Sequence, residues 1–178
     1  MLLFAFLWGL AEATLFFIIP DVLLTYVAMI YKNKRFVIKT LSYTLAGALL
    51  GGTNVYIMSQ LEPEMMRSIL LSVPSVQPYM LEHVTTTMND HPFIGIISGP
   101  LFGVPYKLFA YAAPQYFNLI LFIICSIPAR LLRFILVTII AYWLSHHVFK
   151  RLTHHMKIII WLIVWIVVYI IYFSIHGF

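Results

Sequence analysis

Five ionisable residues lie within stretches of the chain that are otherwise strongly apolar: Glu12, Asp21, Lys107, Arg130 and Arg133. At the centre of a bilayer, a charged side chain costs about 2.5–3.5 kcal/mol even on lenient insertion scales. A guanidinium group presents a fork of donors that suits a phosphate or a carboxylate. A carboxyl group at the same depth can carry a proton. The set therefore indicates a polar site inside a membrane, as is typical of transporters.

The charges of this set do not balance, since two carboxylates face three cations. An uncompensated buried charge is costly. A mobile anion such as a lipid phosphate would neutralise it, although water or chloride would also serve. We predict that Arg130, Arg133 and Lys107 bind the anion, and that the carboxylates of Glu12 and Asp21 couple protons or gate the site. In the structural alternative, Glu12 only pairs with an arginine to fix the fold.

The composition is that of an integral membrane protein. Of 178 residues, 62% are hydrophobic and only 10% are charged, whereas soluble domains have about 25% charged residues. The mean hydropathy is +0.96. Long apolar runs without strand-like alternation predict helices rather than a barrel. No linker divides the chain, so we predict one all-α membrane domain over residues 1–178.

Several function classes lack their motifs in this sequence. The single cysteine, Cys125, rules out a disulfide framework and a cysteine-based metal site. No HExxH motif or Ser-His-Asp order occurs, and no basic stripe is long enough to follow a nucleic-acid backbone. We therefore predict no enzyme, no cofactor, no metal and no nucleic-acid partner. Four histidines are expected at lipid headgroups rather than on a metal: His146, His147, His154 and His155.

Two clusters of basic residues set the predicted orientation. Segments 32–39 and 150–157 are rich in lysine and arginine, whereas the charged residues of 62–91 are mainly acidic. By the positive-inside rule, both clusters and the N-terminus lie in the cytoplasm and 62–91 lies outside. We expect a multi-pass protein of the cell's inner (cytoplasmic) membrane. Its predicted transmembrane helices are 40–61, 118–145 and 158–176.

Two segments with prolines do not fit as simple spans. Pro20 divides segment 1–31 so that the second piece is too short to cross. Segment 92–117 must not cross if the second basic cluster is to stay inside. We predict two re-entrant hairpins with turns at Pro20, and at Gly103 and Pro105. A single tilted, kinked helix is the alternative for 1–31. The second segment has four prolines: Pro92, Pro100, Pro105 and Pro114.

The two predicted hairpins share a weak sequence repeat. Residues 20–28 and 105–113 have proline, leucine, tyrosine and alanine at the same spacing. Each copy precedes a predicted span, and the two copies enter from opposite sides. This pattern describes two inverted repeats, each a hairpin followed by a transmembrane helix, with a C-terminal helix added. In such folds the binding site lies near the midplane, where the broken helices meet.

Two further features each have two interpretations. Glycines at four-residue spacing suit close helix packing, either inside the bundle or between the subunits of a homo-oligomer. They are Gly47 and Gly51, then Gly95, Gly99 and Gly103. Segment 62–91 predicts two amphipathic helices, which lie either in the headgroup plane or as a folded lid over the bundle. Their apolar stripes are Met66, Ile69, Leu70 and Val73, then Met80, Leu81, Val84 and Met88.

The order of acidic and proline residues near the N-terminus resembles the first re-entrant loop of the DedA family, the VTT-domain or SNARE-associated membrane proteins. That loop carries a glutamate and then a proline-rich turn with a second acidic residue, an order matched by Glu12, Pro20 and Asp21. Segment 99–107 is similar to the second loop of the family. The chain departs from the family in having one proline in the first turn and Lys107 in place of an arginine.

The resemblance implies lipid transport. Members of the family flip or scramble phospholipids and the phosphorylated polyprenyl carrier lipid, in some cases coupled to the proton gradient. A phospholipid or a polyprenyl-phosphate lipid is thus the ligand that the resemblance implies. Because Lys107 replaces the family's arginine, Arg130 and Arg133 are expected to take over part of its role. The alternatives are a small-solute or ion secondary transporter of the same architecture, and a structural membrane scaffold.

Overall fold

The computed structural model describes residues 1–99 and 103–177, and this part of the chain is all-helical. The α-helices in chain order are α1 Leu2–Glu12, α2 Asp21–Ile30, α3 Lys34–Leu61, α4 Pro63–Leu71, α5 Pro78–Asp90, α6 Pro92–Ser98, α7 Tyr106–Ala112, α8 Leu119–Trp143 and α9 His154–His176. Helix α7 continues into a short 3₁₀ turn at Ala113–Gln115, and α8 continues into a π-helix at Leu144–Val148.

The helix boundaries follow local capping chemistry. Three long helices begin after a polar side chain that accepts hydrogen bonds from first-turn amides, which otherwise lack partners. These caps are Asn33 for α3, Asn118 for α8 and Thr153 for α9. Three shorter helices begin with a proline, whose fixed φ suits the first turn. They are α4, α5 and α6. The Asn33 cap explains why α3 begins before the predicted residue 40.

The glycines of α3 pack against α1 within the same chain. A Cβ atom on Gly47 would lie 1.9 Å from the Phe6 carbonyl oxygen, and one on Gly9 would lie 2.2 Å from the Thr44 carbonyl oxygen. Gly51 meets the Leu10 carbonyl in the same way. The backbones of the two helices therefore approach closely, and the first GxxxG step is used inside the bundle.

Substituting alanine for Gly47 should separate these two helices, because the obstructing atom belongs to backbone that cannot rotate away. We expect a loss of about 3 kcal/mol, at the upper end of overpacking costs. The matched control is Gly95→Ala, where the nearest atoms are the side chains of Thr87 and Met88 at 3.2 and 3.4 Å. Thermal unfolding in detergent checks this prediction, and equal melting temperatures for the two variants would contradict it.

Segment 62–91 forms a lid over the bundle. Helices α4 and α5 turn their apolar stripes inward, and the exposed fraction of those side chains is 8% or less, apart from the partly buried Ile69. The two helices are thus packed on the core, as a lid requires, and a position of both helices in the headgroup plane stays a prediction. The buried stripe residues are Met66, Leu70, Val73, Met80, Leu81, Val84 and Met88.

Two helices of the described chain are long and apolar enough to cross a membrane. They are Leu119–Val148, which comprises α8 and the π-helix that follows it, and His154–His176. Helix α3 has 28 residues and is long enough for a span, but its glycines and the mid-helix Asn54 lower its hydropathy. That segment 40–61 crosses the membrane stays a prediction. With its π-helical end, α8 runs past the predicted span 118–145 to Val148, and α9 begins at His154, before the predicted 158–176.

The two basic clusters lie at the same end of the bundle. The Tyr142 hydroxyl donates to the Lys32 carbonyl at 3.4 Å, and His146 Nε2 lies 3.2 Å from the Ala28 carbonyl, so the end of α8 contacts the turn before α3. Helix α9 begins beside this end and is about 35 Å long. At its far end, the Ser75 hydroxyl donates to the Gly177 carbonyl at 2.8 Å. The α4–α5 lid therefore occupies the opposite end.

Candidate functional site

Glu12 and Arg130 form a buried ion pair. Their exposed fractions are 3% and 2%, and the guanidinium group of Arg130 donates to both carboxylate oxygens of Glu12. The guanidinium carbon also lies 4.9 Å from the ring centroid of Tyr106 and 4.8 Å from that of Phe134. Glu12 is the last residue of α1, where the helix dipole disfavours a negative charge. Arg130 offsets this cost.

Asp21 and Arg133 form a second ion pair, with Arg133 Nε donating to Asp21 Oδ2 at 2.7 Å. Asp21 is the first residue of α2, where the helix dipole favours its charge. Its other oxygen, Oδ1, is buried without a hydrogen-bond partner in the described chain. The Arg133 side chain is 22% exposed and the Asp21 side chain 3%. Arg133 is therefore the more accessible of the two.

Lys107 is the third cation of the predicted set. It is the second residue of α7, it is 2% exposed, and its Nζ donates to the Phe16 carbonyl at 2.8 Å. The Phe16 carbonyl follows α1, where backbone acceptors lack intrahelical partners. In the described chain, the salt bridges are those of Arg130 and Arg133, so Lys107 has no carboxylate within 4.0 Å. Of the three predicted cations, Lys107 is therefore the one without a carboxylate partner among the described residues.

A cavity of about 180 Å³ lies beside these groups. Glu12, Lys107 and Arg133 contribute its charged lining, and Tyr169 and Tyr172 of α9 close one side. The remaining walls come from three places in the fold: the turn after α1, the α4–α5 connection and the segment before α7. Two of the three predicted anion ligands thus reach one cavity.

Arg130 and Asp21 are not among the residues that line the described cavity. Each is instead paired with a residue that does, Glu12 and Arg133 respectively. The structure therefore brings all five predicted residues into one cluster but gives them different positions. The pairing of Glu12 with an arginine is the contact that the structural alternative requires.

The predicted turn residues lie at helix starts. Pro20 precedes α2 and Pro105 precedes α7. Gly103 has a φ of +89°, a conformation that residues with a side chain rarely adopt. Gly103 and Pro105 both line the cavity, so this turn, which glycine adopts without strain, positions Lys107 at its edge. Pro100, a predicted hairpin residue, lies outside the described residues.

Two tyrosines of the cluster escaped the sequence-based prediction. Tyr106 is 1% exposed, packs on Arg130 and donates to the Ser126 hydroxyl at 2.8 Å. The Tyr169 hydroxyl accepts from the Ile19 amide at 3.0 Å and so joins α9 to the turn before α2. A tyrosine inside a long apolar run is the available signal, because its hydroxyl needs a partner there.

The cluster is suited to binding an anion. Two carboxylates and three cations carry a net charge of one positive unit when all are ionised, and Lys107 and Arg133 reach the cavity. In the described chain, no group of three or more histidine, cysteine, aspartate or glutamate side chains could hold a metal ion.

Comparisons with protein-family models, with curated proteins and with solved structures gave no match.

Proposed function

We propose that this chain is a membrane lipid transporter, a flippase or scramblase, which moves a lipid with a phosphate headgroup between leaflets. A phospholipid or a polyprenyl-phosphate lipid would be its substrate. The observation that carries the proposal is the cavity. It is lined by Lys107, which has no carboxylate partner among residues 1–99 and 103–177, and by the partly exposed Arg133. A phosphate bound between them would neutralise the surplus charge.

The charge balance of the cluster favours a ligand with one or two negative charges. Each carboxylate of the cluster already pairs with an arginine. Among the described residues, the ammonium group of Lys107 is therefore the charge that an anionic ligand would compensate. In a medium of low dielectric constant, an unpaired ammonium group is strongly destabilising. A chain that keeps it there gains nothing in stability, which supports a role in binding.

Helix α9 supports a lipid rather than a solute as the ligand. Tyr169 lines both the charged cavity and an apolar groove of about 670 Å³, to which Trp8, Trp165 and Phe173 also contribute. No residue of α9 in the described chain is buried, so the side of α9 away from its contacts with Ile19 and Thr25 faces the surroundings of the bundle. A headgroup in the cavity could therefore place its acyl chains in the adjoining groove.

In this proposal the two carboxylates control the cations. Asp21 Oδ1 has no partner in the described chain and can accept a proton. Protonation of Asp21 would weaken its pair with Arg133 and make the Nε donor of that arginine available to phosphate. Glu12 lines the cavity and is held by Arg130, so its proton could enter or leave through the same space. Arg130 acts here by positioning Glu12.

The proposed architecture is the inverted pair of re-entrant hairpins, with the N-terminus in the cytoplasm and the protein in the inner membrane. A hydrogen bond supports the first hairpin: Trp8 Nε1 donates to the Ile18 carbonyl at 2.9 Å. Ala5 of α1 also packs in one cluster with Val27 and Ala28 of α2. Both contacts support a chain that turns back around Pro20. Membership of the DedA family is part of this proposal.

Reconstitution into liposomes tests the proposed activity. Vesicles would carry a trace of phospholipid with a fluorescent acyl chain, and a membrane-impermeant reductant would bleach the outer leaflet. We expect the protein to expose the inner-leaflet label when the headgroup contains phosphate. The matched probe is a fluorescent diacylglycerol, whose exchange should not depend on the protein beyond its spontaneous rate. Transport of small anions without lipid exchange would favour the solute transporter, and neither activity would favour the scaffold.

A further inference from the structure

A separate groove lies between α3 and α8, at the end of the bundle that carries the basic clusters. Its volume is about 470 Å³, within the roughly 300–1,000 Å³ of ligand pockets. Exposed or part-exposed aliphatic side chains form its walls, among them Ile38, Ile135 and Ile139. None of the charged residues of the central cavity lines it. The groove is thus apolar in its deeper part and distinct from the cavity.

The rim of this groove is cationic and aromatic. Lys34 Nζ lies 5.9 Å from the ring centroid of Tyr142, and the rings of Trp143 and His147 are stacked with their centroids 6.3 Å apart. Lys34 is also the first residue of the 28-residue helix α3, where the helix dipole favours an anion. Tyrosine, tryptophan and lysine side chains are typical of the headgroup level of a membrane. The rim therefore suits a negatively charged headgroup.

One buried hydroxyl group beside the groove has no partner among the described residues. Thr138 is 6% exposed and lines the groove, yet its Oγ1 makes no hydrogen bond in the described chain. Other buried helical threonines donate to the carbonyl four residues before them, as Thr40 and Thr44 do at 3.0 and 2.9 Å. The Oγ1 atom has less than 1 Å² of accessible surface, so Thr138 must rotate about χ1 to present its hydroxyl to an acceptor in the groove. Because an unpaired buried hydroxyl is costly, an acceptor supplied there from outside the chain would favour that rotamer.

We infer that this groove binds one anionic glycerophospholipid from the leaflet at the basic end of the bundle. The phosphate lies against Lys34 and the start of α3. An ester carbonyl accepts the hydrogen bond of Thr138, and an acyl chain follows the aliphatic walls. Thr138 lies one helical turn, or about 6 Å, from Tyr142 along α8. This offset has the right sense, since the ester carbonyls of a glycerophospholipid lie deeper in the bilayer than its phosphate.

A second copy of the chain fits this surface less well. In a symmetric pair, the same patch of each subunit meets its counterpart, so Lys34 and its basic neighbours would face identical cations. An anionic lipid instead brings the opposite charge to the rim and apolar surface to the walls. The inference needs only that the chain is embedded in a membrane. It therefore does not depend on the proposed transport.

Lipid retention by the purified full-length protein tests the inference. The protein in detergent would be given phosphatidylglycerol, phosphatidylcholine or the dialkyl ether analogue of phosphatidylglycerol, and bound lipid would be counted by native mass spectrometry. We expect Lys34→Gln to reduce phosphatidylglycerol retention about fivefold, as for loss of one lysine at a membrane surface. Lys39→Gln is the matched control, because Lys39 is an exposed lysine of the same cluster that does not line the groove.

The hydroxyl of Thr138 is tested with the ether lipid, which has no ester carbonyl. Thr138→Val keeps the shape of the side chain and should reduce retention of the ester lipid about fivefold, the value of one hydrogen bond. The same variant should leave retention of the ether lipid unchanged. A photoreactive phosphatidylglycerol should label peptides that contain residues 34–41 and 135–147.

Three results would overturn the inference. They are equal retention of phosphatidylglycerol and phosphatidylcholine by the wild type, equal losses from Lys34→Gln and Lys39→Gln, and photolabel spread evenly over all exposed helices. Thermal unfolding of each variant would be measured alongside, and retention compared only at temperatures where both variant and wild type are folded. Liposome exchange that persists in Lys34→Gln would show that this site and the transport site are separate.

Discussion

An Arg130→Met variant should be among the least stable single variants of this chain, losing about 3–5 kcal/mol as is typical when one partner of a buried ion pair is removed. The change would leave the Glu12 carboxylate, 3% exposed, at the unfavourable end of α1 without its cation. The methionine would also lose the charge that contacts the rings of Tyr106 and Phe134. The measurement is thermal unfolding in detergent micelles.

A double-mutant cycle separates the ion pair from simple loss of packing. Adding Glu12→Gln to Arg130→Met removes the orphaned charge, so the double variant should be more stable than Arg130→Met alone. The matched control is Arg67→Met in α4, an exposed residue for which a change within about 0.5 kcal/mol is expected. Additive effects of the two cluster substitutions would show that Glu12 and Arg130 are not coupled.

Replacing Lys107 with glutamine should greatly slow lipid exchange while changing stability little. Glutamine removes the charge but keeps a donor for the Phe16 carbonyl, to which Lys107 donates at 2.8 Å. Loss of an uncompensated buried charge stabilises, and a poorer hydrogen bond destabilises by about 1 kcal/mol, so the two effects oppose each other. We expect exchange to fall at least tenfold, which corresponds to about 1.4 kcal/mol of lost interaction with the phosphate.

Two further variants at this position divide charge from hydrogen bonding. Lys107→Arg keeps the positive charge and should retain part of the exchange rate. Lys107→Met removes both the charge and the donor, so it should lose exchange and stability together. Full exchange by Lys107→Gln would exclude the charge of Lys107 from lipid binding. All rates come from the liposome assay with a fluorescent phosphatidylglycerol.

The identity of the cluster could be predicted from the sequence, since a charge in an apolar run is visible in the chain itself. All five predicted residues lie close to one another in the structure. Their pairing could not be predicted. Glu12 and Arg130 are 118 residues apart and Asp21 and Arg133 are 112 apart, and such contacts depend on how α1 and α2 pack on α8. For the same reason, the separate position of Arg130 was not foreseen.

Local sequence signals indicate where the helices begin and which side is buried better than they indicate the contacts that each helix makes. The prolines and Asn caps mark the starts of most helices, and the apolar stripes of α4 and α5 are buried as a period of 3.6 residues requires. The hydropathy of α9 predicted a span but not its part in the site. That part depends on Tyr169, whose hydroxyl bonds the Ile19 amide 150 residues away. Composition carries no information on such a contact.

The GxxxG steps show the limit of motif reading in another way. Spacing alone allowed packing within the chain or between subunits. Only the position of the Phe6 and Leu10 carbonyls beside α3 assigns Gly47 and Gly51 to the interior of the bundle. A GxxxG motif predicts that a helix packs closely against another helix. It does not indicate which helix that is, because the partner depends on the whole fold.

The most direct test of the account is to block the cavity and measure lipid exchange. Val104 lines the cavity and is half-buried, so Val104→Cys in a Cys125→Ala background provides one thiol there. A cysteine at the exposed Thr86 of α5 is the control. We predict that a bulky thiol reagent stops phosphatidylglycerol exchange in the first variant and leaves the second unchanged. Unchanged exchange after complete modification at position 104, verified by mass, would contradict passage of the headgroup through this cavity.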